Sequence, residues 1–347
     1  TILRALFINS TPIAFSLVRE GLTHRSELVR VLAGQYAGHL RDASTFLPLT
    51  GMLNPDRTKW SEHTRRVAMC ALGQLGSPKA IEPLFQSYHS DPGDAFLEHA
   101  FIYALIEINA PQELRTVMKK FPGTLTHRAG LIALSEMPAG DLTSEDVIPH
   151  LLSQDAILRE AAIFLAARHP ERGADITDHL AGHLTKPEPP IEQEVLLELL
   201  KRLIKDPSIQ DLVNTMLQSP TEWSMASALR TVASSGIKTP PASWTSSLVA
   251  LLEKGPGLPS LRPPLIAAAS SLLAHPSSRD TLLPAVRSYT DLPQLESLTR
   301  ISAVLAMPEG TPITDPPFHA ALRTLSPETP LAERFSAADA IGRAALS

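Results

Sequence analysis

A helical pattern that returns every 29 to 40 residues constrains this chain of 347 residues more than any single side chain. Its clearest copy is Thr64–Tyr88, TRRVAMCALGQLGSPKAIEPLFQSY. Arg66 to Leu72 supply an apolar stripe, Gly76-Ser77-Pro78 break it, and Ala80 to Tyr88 begin a second one. The reading is helix, short turn, helix. With Leu72 as reference, equivalent positions fall at Tyr36, Leu105, Leu134, Ala166, Leu199, Val232, Leu272, Val304 and Ile341. A period in this range marks arrays of helical repeats. Each helix pair has an apolar face that it cannot bury alone, so neighbouring pairs supply one another's core.

The best copies are RRVAMCALGQLG (65–76), EHAFIYALIEIN (98–109), HRAGLIALSEMP (127–138) and LREAAIFLAARHP (158–170). Each places small or apolar residues at i, i+3, i+4 and i+7 and then stops at Gly, Asn or Pro. Partner helices lie between them. One follows Thr143, which with Asp146 has the spacing of a capping box. Pro83, Pro149 and Pro284 fall inside partner stretches, where a proline either starts the helix proper or kinks it. Such a recurring kink is a HEAT-type feature. The expected fold is thus an all-α, HEAT-like α-solenoid, a right-handed superhelix of helix pairs with about ten repeats. No stretch alternates with period two for long enough to predict a strand. One solenoid domain is expected over residues 1–347, with regular repeats over 24–239 and less regular, proline-rich repeats over 240–347. Fifteen of the 31 prolines lie in that last part, so a domain boundary near Thr239 is the alternative.

Aromatic residues are only 5% of the chain, which suits closely packed helices with thin layers between them. The net charge of −5 disfavours a general nucleic-acid binder, whose affinity rests on Lys and Arg neutralising phosphates. Residues 1–80 nevertheless carry +5 and the remainder −10, so the first part could dock an acidic neighbour. The single cysteine, Cys70, excludes an intrachain disulfide and sits in an apolar stripe, where a buried structural role is expected. No run of 18 apolar residues predicts a membrane span. The chain starts with Thr1-Ile2-Leu3-Arg4-Ala5-Leu6, which reads as mid-helix and predicts a piece of a longer protein.

Candidate chemistry is sparse. His179 and His183 are spaced i, i+4 on one helix face, as metal ligands can be, with Asp175 one turn earlier. No further ligand follows at a fixed spacing, and surface histidines are the competing reading. Arg30, Arg66 and Arg128 share a phase in the Leu72 alignment; they are expected to bond carbonyls or acids of the neighbouring turn and set the stacking. His99 occupies the same phase and is expected to replace such a contact. Asp155 and Arg159 form an i, i+4 acid–base pair at a helix start, where Asp155 is also expected to cap free backbone amides. Leu72, Leu105, Leu134 and Leu199 are expected in the apolar layers between helices. There is no CxxCH, GxGxxG, GxxxxGK[ST], GxSxG or HExxH motif. No catalytic or cofactor-binding residue is assigned, and the chain is expected not to be an enzyme.

The run FLEHAFIYALIEI (96–108), followed by HRAGLIALSEMPAGDLTSEDVIPHLLSQDAILREAAIFLAARHPERG (127–173), resembles the HEAT-repeat region of large bacterial PVC-type haem-binding CxxCH proteins, also described as membrane-bound dehydrogenase-like. The likeness is close over about 60–240 and weaker beyond. The family's layout implies an exported, periplasmic or secreted parent with a β-propeller before this region and a haem domain after it. Haem would then lie outside this chain, which takes no cofactor itself. On that resemblance the chain is a scaffold that positions neighbouring domains. Its partners would be protein domains of the same parent chain or another protein, with no nucleic acid and no direct membrane span. A stand-alone peptide- or protein-binding solenoid is the alternative. A HEAT-like lyase or DNA-repair-type enzyme is a third reading, disfavoured by the acidic charge.

Overall fold

Helix caps fix the phase of the repeat. The computed structural model describes residues 12–54, 60–169, 172–184, 192–255 and 257–346, without the side chains of Pro12, His183 and Leu346. The helix expected at Thr1–Leu6 lies outside these residues. The chain divides into two compact units, Thr1–Arg168 and His169–Ser347.

In the first unit a short helix α1 (Pro12–Leu22) precedes pairs whose longer members form layer A and whose shorter members form layer B. The pairs are α2 (Glu27–Leu40) with α3 (Phe46–Gly51), α4 (Glu62–Leu75) with α5 (Ile81–Ser90), α6 (Ala95–Ile108) with α7 (Pro111–Met118), and α8 (Thr124–Glu136) with α9 (Ser144–Val147). Layer A then ends on α10 (Ala156–Ala167). Each layer-A helix of this unit packs on the next, α2 on α4, α4 on α6, α6 on α8 and α8 on α10.

The second unit starts with the layer-B helix α11 (Gly173–Leu184). The pairs are α12 (Gln193–Leu203) with α13 (Pro207–Leu217), α14 (Glu222–Ser234) with α15 (Ala242–Glu253), α16 (Arg262–Leu273) with α17 (Pro276–Thr290), and α18 (Ser297–Ala306) with α19 (Asp315–Thr324). The last helix, α20 (Leu331–Arg343), packs on α18. Because α14 packs on α16 and α15 on α17, the stacking runs through Thr239 without a break. These stacked pairs make the fold an all-α, HEAT-like helical repeat.

The caps show why the leucine register works. Leu72, Leu105, Leu134, Ala166 and Val232 each stand eleven residues after an N-cap, namely Ser61, Asp94, Gly123, Asp155 and Thr221. All five are buried, and Leu199, one turn earlier in α12, is buried as well. Burying a leucine stabilises by about 2 kcal/mol, so this column is a main source of cohesion between pairs. Aromatic rings add to it where α5 meets α6: Tyr88 stacks on Phe101 at 4.5 Å, and Phe85 meets Phe101 edge-on at 5.1 Å.

The stops behave as expected. Gly76 and Asn109 end their helices in the left-handed region, at φ 69° and 52°. Asp146 accepts from the Thr143 backbone N–H at 2.8 Å and its hydroxyl at 2.9 Å, which closes the predicted cap. Pro83 stands third in α5, Pro149 lies in a 3₁₀ turn, and Pro284 is interior to α17. One element was not predicted. Pro312–Ile313 (β1) and Ala345–Leu346 (β2) form a parallel pair in the register Pro312 to Ala345 and Ile313 to Leu346. Two residues are too few to show a period-two pattern. No helix among the described residues is long and apolar enough to cross a membrane.

Candidate functional site

Arginines divide into two sets according to their distance from the cap. Arg30 and Arg159 stand four residues after the N-caps Ser26 and Asp155. Each turns back onto the loop that leads into its helix: Arg30 donates to the His24 and Arg25 carbonyls at 2.8 and 2.9 Å, Arg159 to the Ser153 carbonyl at 2.7 Å. Arg279 and Gln210, also four residues past their caps, do the same to Leu273 and Ile204. The fourth position therefore satisfies carbonyls that the turn before a helix would otherwise leave open.

Arg65 occupies that position in α4, whereas Arg66 is one residue beyond it. The expected common phase of Arg30, Arg66 and Arg128 is corrected accordingly. Arg66 and Arg128 stand five residues past their caps, and Arg30 stands four. Arg65 is fully buried. It donates to the Asp91 carboxylate at 2.9 Å, the Asp91 carbonyl at 2.7 Å, and the Ser87 carbonyl and hydroxyl at 3.1 and 3.2 Å. It thus ties α4 to the end of α5. A signal was available in the sequence, since Arg65 follows Ser61 by the four residues that separate Arg159 from Asp155.

The fifth position serves contacts between pairs or faces solvent. Arg128 of α8 pairs with Glu98 of α6, as the expectation of a neighbouring acid required. Arg168 continues the ladder to Glu136 at 2.8 Å. In layer B, Arg115 donates to both Asp146 carboxylate oxygens, from Nε at 2.9 Å to Oδ1 and from a terminal nitrogen at 2.7 Å to Oδ2. Burial pulls the Asp146 pKa up, but bonds from Arg115 and Thr143 outweigh it and hold the carboxyl below its usual range. Two expectations fail at this level. His99 is exposed, and among the described residues it makes no hydrogen bond or ion pair to another repeat; Glu98 pairs with Arg128 instead. Asp155 and Arg159 do not pair, although the expected cap forms: Asp155 caps α10 through the Ile157 and Leu158 amides, while Arg159 uses the Ser153 carbonyl.

Arg66 lies on the outer side of layer A, at a groove of about 380 Å³ between α2 and α4. Gln35, His63, Arg66, Cys70 and Gln74 are its polar lining. The Arg66 guanidinium lies 3.3 Å from His63 Nδ1 and 5.5 Å from the ring centre of Phe96, which is 68% exposed. Cys70 is half-buried rather than buried, a second correction. Burial pushes its thiol pKa up despite the nearby Arg66, which leaves a protonated, weakly nucleophilic group. The groove thus offers two amides able to donate and accept, a cation and an exposed ring. Such a set can meet a ligand through hydrogen bonds, charge and ring contact.

His179 is half-buried in α11, and the His183 side chain lies outside the described residues. Among the described residues no group of three or more His, Cys, Asp or Glu is placed to hold a metal ion. In the second unit, grooves follow the same spacing between helices. One of about 560 Å³ separates α16 from α18, and one of about 450 Å³ runs between α11, α13 and α14.

No family model and no curated protein matches the chain. Among solved structures it is similar to the complex of CpcE and CpcF of phycocyanin lyase from Nostoc sp. PCC7120, at 17% identity over 81% of this chain and 95% of that one, with a TM-score of 0.31. It is also similar to human deoxyhypusine hydroxylase in complex with glycerol, at 17% identity over 83% and 88% of the two chains, with a TM-score of 0.25. Both are described as enzymes, which corrects the expectation that this chain is not one. A helical repeat of this kind gives no ground for excluding catalysis.

Proposed function

We propose that this chain is an interaction scaffold, whose layer-A face in the first unit binds a protein segment across α2, α4 and α6. The carrying observation is the exposed Phe96 ring under Arg66, beside the groove lined by Gln35, His63 and Gln74. An exposed aromatic with a cation over it and amides nearby matches the composition of protein-binding hot spots. The test is a photo-crosslinking side chain at Phe96 in the native protein. Crosslinks to one defined protein domain, lost in Arg66→Ala with the helical content unchanged, are the expected result. Tight binding of duplex DNA at physiological salt, with no protein crosslink, would refute the reading.

We propose further that this scaffold belongs to a larger exported, haem-binding, dehydrogenase-like protein and spaces its domains. The motifs over 96–108 and 127–173 support this reading, and the complete reading frame tests it. A frame with neither a propeller nor a CxxCH motif leaves the stand-alone, protein-binding solenoid.

A further inference from the structure

The groove between α2 and α4 is rich in donors and lined by no acid. Its polar lining is the Arg66 guanidinium, the His63 ring, the Cys70 thiol and the amides of Gln35 and Gln74. An arginine can only donate, so His63 Nδ1 is the acceptor in its 3.3 Å contact with Arg66, and the proton of the neutral ring sits on Nε2. That contact occupies one of the five guanidinium N–H groups. Among the described residues the Gln35 and Gln74 amides make no hydrogen bond, and Arg66 makes no ion pair. The Phe96 ring attracts the Arg66 charge without taking a hydrogen bond from it.

Neighbouring steps of the same face do carry the acid. Arg128 of α8, five residues past its cap like Arg66, meets Glu98 of α6, and Arg168 meets Glu136 at 2.8 Å. In the second unit Arg262 meets Glu296 at 3.2 Å. Glu98 stands four residues past Asp94, and the residue four past the α2 cap is Arg30, a second cation. Arg30 donates to the His24 and Arg25 carbonyls and lies 4.9 Å from the ring centre of Trp60. Glu27, the α2 acid that faces His63, is engaged at the α4 cap, where it accepts from the Ser61 and Thr64 hydroxyls. The place that an acid fills beside Arg128 is thus without one beside Arg66.

We propose that this groove takes an acidic protein segment, one of whose Asp or Glu side chains does for Arg66 what Glu98 does for Arg128. Arg66 and the His63 Nε2–H are the donors to that carboxylate, and the Gln35 and Gln74 amides bond the main chain beside it. Phe96 packs on an apolar neighbour of the acid. The donors are side chains, not the backbone nest that captures a chain terminus, so the carboxylate is that of a residue within the segment. One guanidinium matches the single charge of a carboxylate better than the nearly double charge of a phosphate. This inference rests on the reading that the α2–α4–α6 face binds a protein segment, and it adds the charge which that segment carries.

A displayed library of short random peptides, held between constant flanks, reads the charge directly. Selected on the full native chain, it should return sequences enriched in Asp and Glu over the starting library. Selected on Arg66→Glu, it should return Lys and Arg instead. A selected peptide, made with acetylated and amidated ends, should bind Arg66→Gln about tenfold more weakly than the native chain, the loss of one charge-assisted bond. Its affinity should also fall as NaCl rises. Circular dichroism should show the same helical content in both variants. Enrichment of neutral or basic sequences on the native chain overturns the acidic segment and leaves the protein-binding reading standing. So does a selected peptide whose affinity Arg66→Gln leaves unchanged. A selection that returns no sequence also overturns this inference; only if the Phe96 crosslink is missing as well does the reading beneath it fall.

Discussion

Replacing Arg65 by leucine tests the distinction between the fourth and fifth positions after a cap. The side chain is fully buried and, among the described residues, donates to the carboxylate and carbonyl of Asp91 and to the carbonyl and hydroxyl of Ser87. Breaking a buried ion pair by removing one partner costs about 3–5 kcal/mol. Three features place the cost toward the lower end. The Asp91 side chain is 23% exposed and can regain water, the Ser87 hydroxyl keeps its 2.6 Å bond to the Leu53 carbonyl, and the Ser87 carbonyl keeps the Asp91 amide. Leucine also retains the apolar part of the arginine stem. A loss of about 3 kcal/mol in a unit of this size corresponds to a fall of about 6–12 °C in melting temperature. Arg66→Leu removes only contacts at the surface and should cost about 0–1 kcal/mol. Thermal unfolding followed by circular dichroism at pH 7 compares the two variants. A shift below about 2 °C for Arg65→Leu, or a larger one for Arg66→Leu, would refute the assignment of the clamp to Arg65.

Two other outcomes test the layers and the histidines. Leu105→Asp puts a carboxylate where only 1% of the side chain meets solvent; it should cost more than about 4 kcal/mol and unfold the first unit, so a near-native melting curve would sink the register. His150 lies with its ring 5.3 Å from that of His127, and burial first, then the His127 charge, lower its pKa, with Asp146 opposing. A lowered folded-state pKa means that stability is fully present above the ordinary histidine value of about 6.5 and is lost as pH falls below it. Denaturant midpoints measured between pH 7.5 and 5 should fall in the native chain and fall less in His150→Gln; parallel curves would exclude His150 as the source.

The repeat was legible because it rests on burial, and burial leaves a periodic record. Leu72, Leu105 and Leu134 share one distance from their caps, so aligning apolar residues found both the helices and their inner face. The arginines were less legible for a geometric reason. Tyr36, matched to Leu72, stands ten residues past its cap instead of eleven, and one residue turns a helix by about 100°. That slip moved attention from Arg65, which points inward, to Arg66, which points out. Cys70 shows the same limit, since an apolar sequence neighbourhood does not say which side of the stripe faces a groove.

The habit of the fourth residue, bonding the turn that leads into its own helix, has an evolutionary corollary. Arg30, Arg159, Gln210 and Arg279 each close carbonyls within their own segment. A segment built this way brings its closure with it when copied. Tandem duplication or deletion of a pair then strands no acceptor in its neighbours, and the array can change length without new compensating mutations. Arg65, which reaches across to the end of α5, fixes the order of the two helices in its pair, so α4 and α5 would have to be inherited together.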